Sequence, residues 1–144
     1  MFVKIKGEDI KRLIPQREPF MMMDEIEASD GTHAVTALTV LKENYFILYD
    51  DTMAETGMIE HIAQSCSALM GLQALEQESP GENPPVGLIG EVKRFECQRR
   101  PKIGEKVTTN IEFGFTFGNV TMATGESRIG DETIAKAQLK IFMQ

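Results

Sequence analysis

Residues 56–71 read TGMIEHIAQSCSALMG, and this stretch decides the fold. Met58, Ile62, Cys66 and Leu69 recur at steps of three and four, the spacing of one apolar side of an α-helix. Gly57, Ala63, Ser65, Ser67, Ala68 and Gly71 are small, which suits a helix approached closely by surrounding backbone. The segment predicts a helix of about six turns over most of Thr52 to Gln77. On a wheel of about 100° per residue, Met53, Thr56, Gly57, Glu60, Gln64, Ser67 and Gly71 form a second stripe. A solvated helix face carries several Lys and Glu, whereas this stripe has one carboxylate among small and neutral groups. Glu60 is therefore expected to face a crevice, where a carboxyl group serves as a general acid or base. The alternative is an ordinary helix acid or a residue of a subunit interface.

Working outward, GEDIKRLIP has Ile10, Leu13 and Ile14 at helical spacing, acids at its start and Pro15 to stop it, which predicts a short opening helix. FMMMDEIEAS and THAVTALTVL are strand-like and meet at Asp30-Gly31, a hairpin dipeptide. EQESPGENPPVG is polar and rich in Pro and Gly, an exposed loop. Beyond it GLIGEVKRFEC, KVTTNIEFGFTF, NVTMATGESRI and ETIAKAQLKIFM are four further strands, separated by Pro101, Gly104, Gly118-Asn119 and Gly130-Asp131. Two strands, one long helix and four strands predict an α+β single domain over 1–144. Its six-stranded antiparallel sheet curls around the helix.

The chain has 144 residues and a net charge of −7, which argues against a nucleic-acid partner. No apolar run reaches the roughly 18 to 20 residues of a membrane span. The N-terminus lacks the pattern of a signal peptide, and two cysteines make no disulfide framework, so a reducing cytoplasm is expected. His33, His61, Cys66 and Cys97 lack metal-ligand spacing, so no metal is expected. His61 cannot face one reacting carbon together with Glu60, because adjacent helical residues point about 100° apart. It is expected to be structural or at the surface. His33 reads as a partly exposed strand residue, and Met21 to Met23 as core.

IPQREPFMMMDEI, GMIEHIAQ and VGLIGEVKRFECQRRPKIGEKVTTNIEF, taken together and in this order, resemble the hotdog-fold 3-hydroxyacyl-acyl-carrier-protein dehydratases, with kinship to aryl polyene dehydratases. The resemblance implies a dimer, or a higher oligomer, whose active sites lie between subunits. It also implies a substrate carried as a phosphopantetheine thioester in fatty-acid or polyketide-type biosynthesis, with no other cofactor. By the same resemblance Glu60 is the catalytic helix acid, Gln64 belongs to the family's Ala-Gln pair, and Gly57 marks the helix terminus whose amides meet the thioester carbonyl. The family's catalytic His, in a GHFPG-like loop, has no counterpart: ILYDDTMAETG stands there and is shorter. Gln16 replaces a second family His near the start and is a candidate substrate contact.

One window departs from the acidic balance. Lys93, Arg94, Arg99, Arg100 and Lys102 against Glu96 give residues 93–102 a charge of +4, leaving −11 elsewhere. Acyl carrier proteins are acidic and their arm bears a phosphate, so this strip is a candidate carrier-binding site; the alternative is a solvated loop. Three functions follow from these readings: a dehydratase acting on thioesters of a carrier protein or coenzyme A, a hotdog thioesterase, and a non-catalytic acyl-binding subunit forming a heterodimer with an active homologue.

Overall fold

A computed structural model describes residues 3–75 and 87–143. In chain order they form β1 (Val3–Lys6), a 3-10 helix (Gly7–Arg12), β2 (Glu25–Ala28), β3 (His33–Thr39) and α1 (Glu55–Leu75). After these come β4 (Gly87–Cys97), β5 (Lys106–Phe117), β6 (Val120–Ile129) and β7 (Glu132–Met143). All seven strands join one antiparallel sheet in the order β1-β2-β3-β5-β6-β7-β4. The sheet curls around α1, the expected hotdog arrangement, and leaves one side of β4 as a free edge.

The expected count of six strands is corrected to seven. VKIK offers two apolar residues in four, too short a run to register as a strand alone, yet it pairs with β2 from Val3↔Ala28 to Lys6↔Glu25. The opening helix is 3-10 rather than α, and it still buries Ile10 completely, as the following residues bury Leu13 and Ile14. The helix begins at Glu55 rather than Thr52. Asp50 accepts from the Thr52 amide and hydroxyl, while Met53 bridges to Ile47 and Thr52 to Lys102, so these residues extend instead of coiling. The polar loop expected at 76–87 lies outside the described residues up to 86.

Burial of α1 is the largest difference from expectation. Every residue from His61 to Leu72 is buried, so the predicted polar stripe does not open to a crevice at Gln64, Ser67 and Gly71. The small residues make this enclosure possible. A Cβ on Gly71 would lie 2.6 Å from the Leu13 carbonyl oxygen, and one on Gly125 of β6 would lie 2.7 Å from the Ile62 side chain. The core around α1 divides into a cluster about Ile62, Leu69 and Leu139 and a second about Met22, Met53 and Met58.

Candidate functional site

The run FMMMD does not become a strand as expected. Residues Phe20 to Met22 instead form a strap across α1, and the helix side chains supply the hydrogen bonds that a neighbouring strand would give. Gln64 Oε1 accepts from the Met22 amide at 2.6 Å, and Gln64 Nε2 donates to the Phe20 carbonyl at 2.8 Å. His61 Nδ1 lies 2.7 Å from the Met22 carbonyl. A carbonyl oxygen accepts and never donates, so Nδ1 carries the proton. Burial drives the His61 pKa down to about 4, with the Met22 carbonyl opposing weakly, so the ring is neutral near pH 7 and Nε2 is an acceptor. Thr109 Oγ1, 2.8 Å from Nε2, therefore donates to it and accepts from Ser127 Oγ at 2.7 Å. Ser65 Oγ donates to the His61 carbonyl and accepts from Thr36.

These bonds explain why an imidazole stands beside Glu60. His61 is 1% exposed, so of the structural and surface roles expected for it the structural one holds. Glu60 is half-buried one turn before Gln64, and its Oε1 accepts the second Nε2 hydrogen of Gln64 at 2.9 Å. Because the Met22 amide fixes which end of the Gln64 side chain is oxygen, Gln64 can only donate to Glu60. Among the described residues, Glu60 Oε2 makes no hydrogen bond.

The other predicted site residues are less concentrated. The Gly57 amide donates to the Ala54 carbonyl at 2.9 Å, and a Cβ there would lie 2.6 Å from Phe46. Packing is thus the visible role of Gly57, and the amide expected at a thioester oxygen is already engaged. Gln16 is half-buried, and among the described residues its buried Oε1 has no hydrogen-bond partner and no bond links it to Glu60. The loop at 47–54 turns through Asp51 at φ 63° and leaves Tyr49 fully exposed at its tip. Sequence reading missed the aromatic pair beside the strap, Phe20 and Tyr45, with ring centroids 4.5 Å apart and both rings exposed. Phe20 is tied to Gln64 through its carbonyl, a link visible only once the strap is folded.

A groove of about 930 Å³ lies on the outer face of the sheet, away from Glu60, lined by Arg94, Glu96, Asn110, Glu112, Glu126 and Lys136 among others. These are ionic and amide groups on strands with no link to the strap, so the groove offers no chemistry to Glu60. The basic strip divides in two. Arg99 forks onto Glu105 at 2.8 and 3.0 Å and onto Glu132 at 3.2 Å, and Arg100 pairs with Asp50 at 3.0 Å. Lys93, Arg94 and Lys102 make no ion pair among the described residues.

Residues 8–144 match the ApeP-like family, described as ApeP dehydratase. The chain belongs to this family. Related proteins agree with that membership along nearly the full length. The 3-hydroxyacyl-[acyl-carrier-protein] dehydratase FabZ of Clostridioides difficile is 25% identical over 139 residues, covering 92% of each chain. The FabZ of Natranaerobius thermophilus is 24% identical over 134 residues, covering 91% of this chain and 92% of its own. In fold, the chain is similar to a solved chain of the dehydratase heterocomplex ApeI:P from Xenorhabdus doucetiae, at TM-score 0.83 and 16% identity, over 94% of this chain and 90% of that one. A Streptococcus pneumoniae hypothetical thioesterase solved with coenzyme A shares the fold at TM-score 0.64 and 12% identity, over 83% and 84% of the two chains. No helix of the described residues is long and apolar enough to cross a membrane.

Proposed function

We propose that this chain is the acid-bearing subunit of a cytoplasmic 3-hydroxyacyl thioester dehydratase, completed by a second hotdog subunit along the free edge of β4. The observation that carries the reading is the separation of Glu60 from His61. The imidazole is neutral, buried and committed to Met22 and Thr109, so the chain offers a carboxyl group to a substrate and no imidazole beside it. In the reaction a base on the partner subunit removes the Cα proton, the Cα–Cβ double bond forms, and the 3-hydroxyl leaves as water with a proton from Glu60. The Gln64 N–H on Oε1 leaves Oε2 to carry that proton. The acyl group arrives on the phosphopantetheine arm of a carrier protein, or on coenzyme A, and no other cofactor is required.

The ApeI:P heterocomplex supports a pairing of unlike subunits, and a homodimer is the simpler arrangement of the same edge. The thioesterase reading keeps one argument: a lone carboxylate is enough to activate water. Mass spectrometry separates these readings. The chain, alone and co-expressed with a hotdog dehydratase homologue of its own organism, is offered a 3-hydroxyacyl and a saturated acyl thioester. The expected result is enoyl product from the complex, reduced about 100-fold or more by Glu60→Gln with folding intact. Free acid released from both thioesters would make the protein a thioesterase. Equal activity of wild type and Glu60→Gln would remove Glu60 from the chemistry.

A further inference from the structure

We infer that His61 is a positioning residue for Glu60, acting through the strap and Gln64; this rests on the dehydratase reading above. Three consecutive peptide groups of the strap are each held by a side chain of α1. The Phe20 carbonyl and the Met22 amide bind opposite ends of the Gln64 side chain, and the Met22 carbonyl binds His61. His61 and Gln64 lie about one turn apart on the helix and grip one short length of backbone. Gln64 then has one N–H left, and that N–H meets Glu60 at 2.9 Å.

The order of dependence follows from which groups can rotate. The Gln64 amide has two orientations, and its oxygen is placed by the Met22 N–H. The Met22 residue is in turn held by His61, which is anchored on its far side by Thr109 and Ser127. Thr109 is on β5 and Ser127 on β6, so the sheet itself fixes the ring. Without the His61 N–H, the strap keeps two of its three bonds to α1, both to Gln64, and Gln64 must follow the strap. The carboxyl group that Gln64 presents then loses its fixed orientation. A group that aligns an acid in this way affects the chemical step more than substrate binding.

The test uses His61→Leu, which fills the space without an N–H, and His61→Asn, whose amide nitrogen takes the place of Nδ1 and retains a neutral donor. In wild type the Gln64 side-chain amide should give two widely separated, slowly exchanging proton signals by nitrogen-edited NMR. His61→Leu should collapse them toward the values of an exposed glutamine, and His61→Asn should restore them. With the active complex, His61→Leu should lower kcat about 10-fold or more at nearly unchanged KM, and His61→Asn should recover most of it. If His61→Leu fails to fold, His61→Asn decides alone: wild-type amide signals and kcat support positioning, and loss of both in a folded protein overturns it. Unchanged Gln64 signals in folded His61→Leu also overturn it. If no protein shows dehydration while the amide signals respond as expected, the positioning stands and the dehydratase reading fails.

Discussion

Two polar regions of this molecule differ in what surrounds them. Along α1, His61, Gln64, Ser65, Thr36, Thr109 and Ser127 are each buried and each bonded to a specific partner. At the end of β4, Arg99 and Arg100 also have defined partners, but their side chains are 32% and 41% exposed. Water can replace a lost partner in the second region and has no access to the first. A buried donor or acceptor left unpaired costs about 1–3 kcal/mol, whereas an exposed ion pair contributes about 0–1 kcal/mol. The contrast predicts that similar hydrogen-bond geometries have unequal consequences.

Acidification should expose the contrast most strongly. The folded pKa of His61, about 4, lies below the ordinary 6.5, so the unfolded chain binds this proton more readily. The stability is fully present above 6.5 and is lost as pH falls from 6.5 to about 4, by roughly 3 kcal/mol. Glu105 follows at lower pH. Arg99 and the Lys102 amide hold its carboxylate at about 2, below the ordinary 4.5, so its contribution is present above 4.5 and lost as pH falls toward 2. Urea titrations from pH 7 to pH 3 should show the first loss in wild type and not in His61→Asn. A wild-type stability that is flat between pH 6.5 and pH 4 would contradict the neutral buried ring.

A smaller effect is expected from Thr109→Val, which preserves shape and deletes one hydroxyl. His61 Nε2 loses its donor and Ser127 loses its acceptor, both in the interior. The expected cost is about 2 kcal/mol, measured as a shift of the urea midpoint at unchanged slope. Arg99→Gln at the surface serves as the control and should cost about 1 kcal/mol or less. Equal costs would erase the distinction between the regions.

Much of this fold was legible because its signals are local. The spacing of Met58, Ile62, Cys66 and Leu69 marked the inner helix, and all four are buried. Gly118 and Gly130 closed the two later hairpins at φ 62° and 59°, as the turn dipeptides indicated. The strap was not legible, because Met21 to Met23 have the composition of a strand and their partners lie some forty residues away on α1. The helix wheel failed for a related reason. It sorts residues into two faces, and a helix enclosed by a curled sheet and a strap has no open face along its middle. Glu60 and Gln64 were each singled out, one as the helix acid and the other as part of an Ala-Gln pair, but that Gln64 binds the strap as well as the acid required the tertiary structure.

The smallest expected effect concerns the basic strip, whose five cations the sequence treats alike. Arg99 and Arg100 tie the β4–β5 connection to Glu105, Glu132 and Asp50, so reversing them would break the chain's own ion pairs as well as any carrier contact. Lys93 and Lys102 make no ion pair among the described residues, and both are exposed. Their reversal therefore isolates docking from folding. Lys93→Glu with Lys102→Glu should leave the thermal midpoint nearly unchanged and weaken binding of an acidic acyl carrier protein about 10-fold at low salt. Near 1 M salt the Debye length is about 3 Å and the difference should largely vanish. A carrier affinity that ignores both charge and salt would make the strip a solvated surface, its cations engaged only with water and with the chain's own carboxylates.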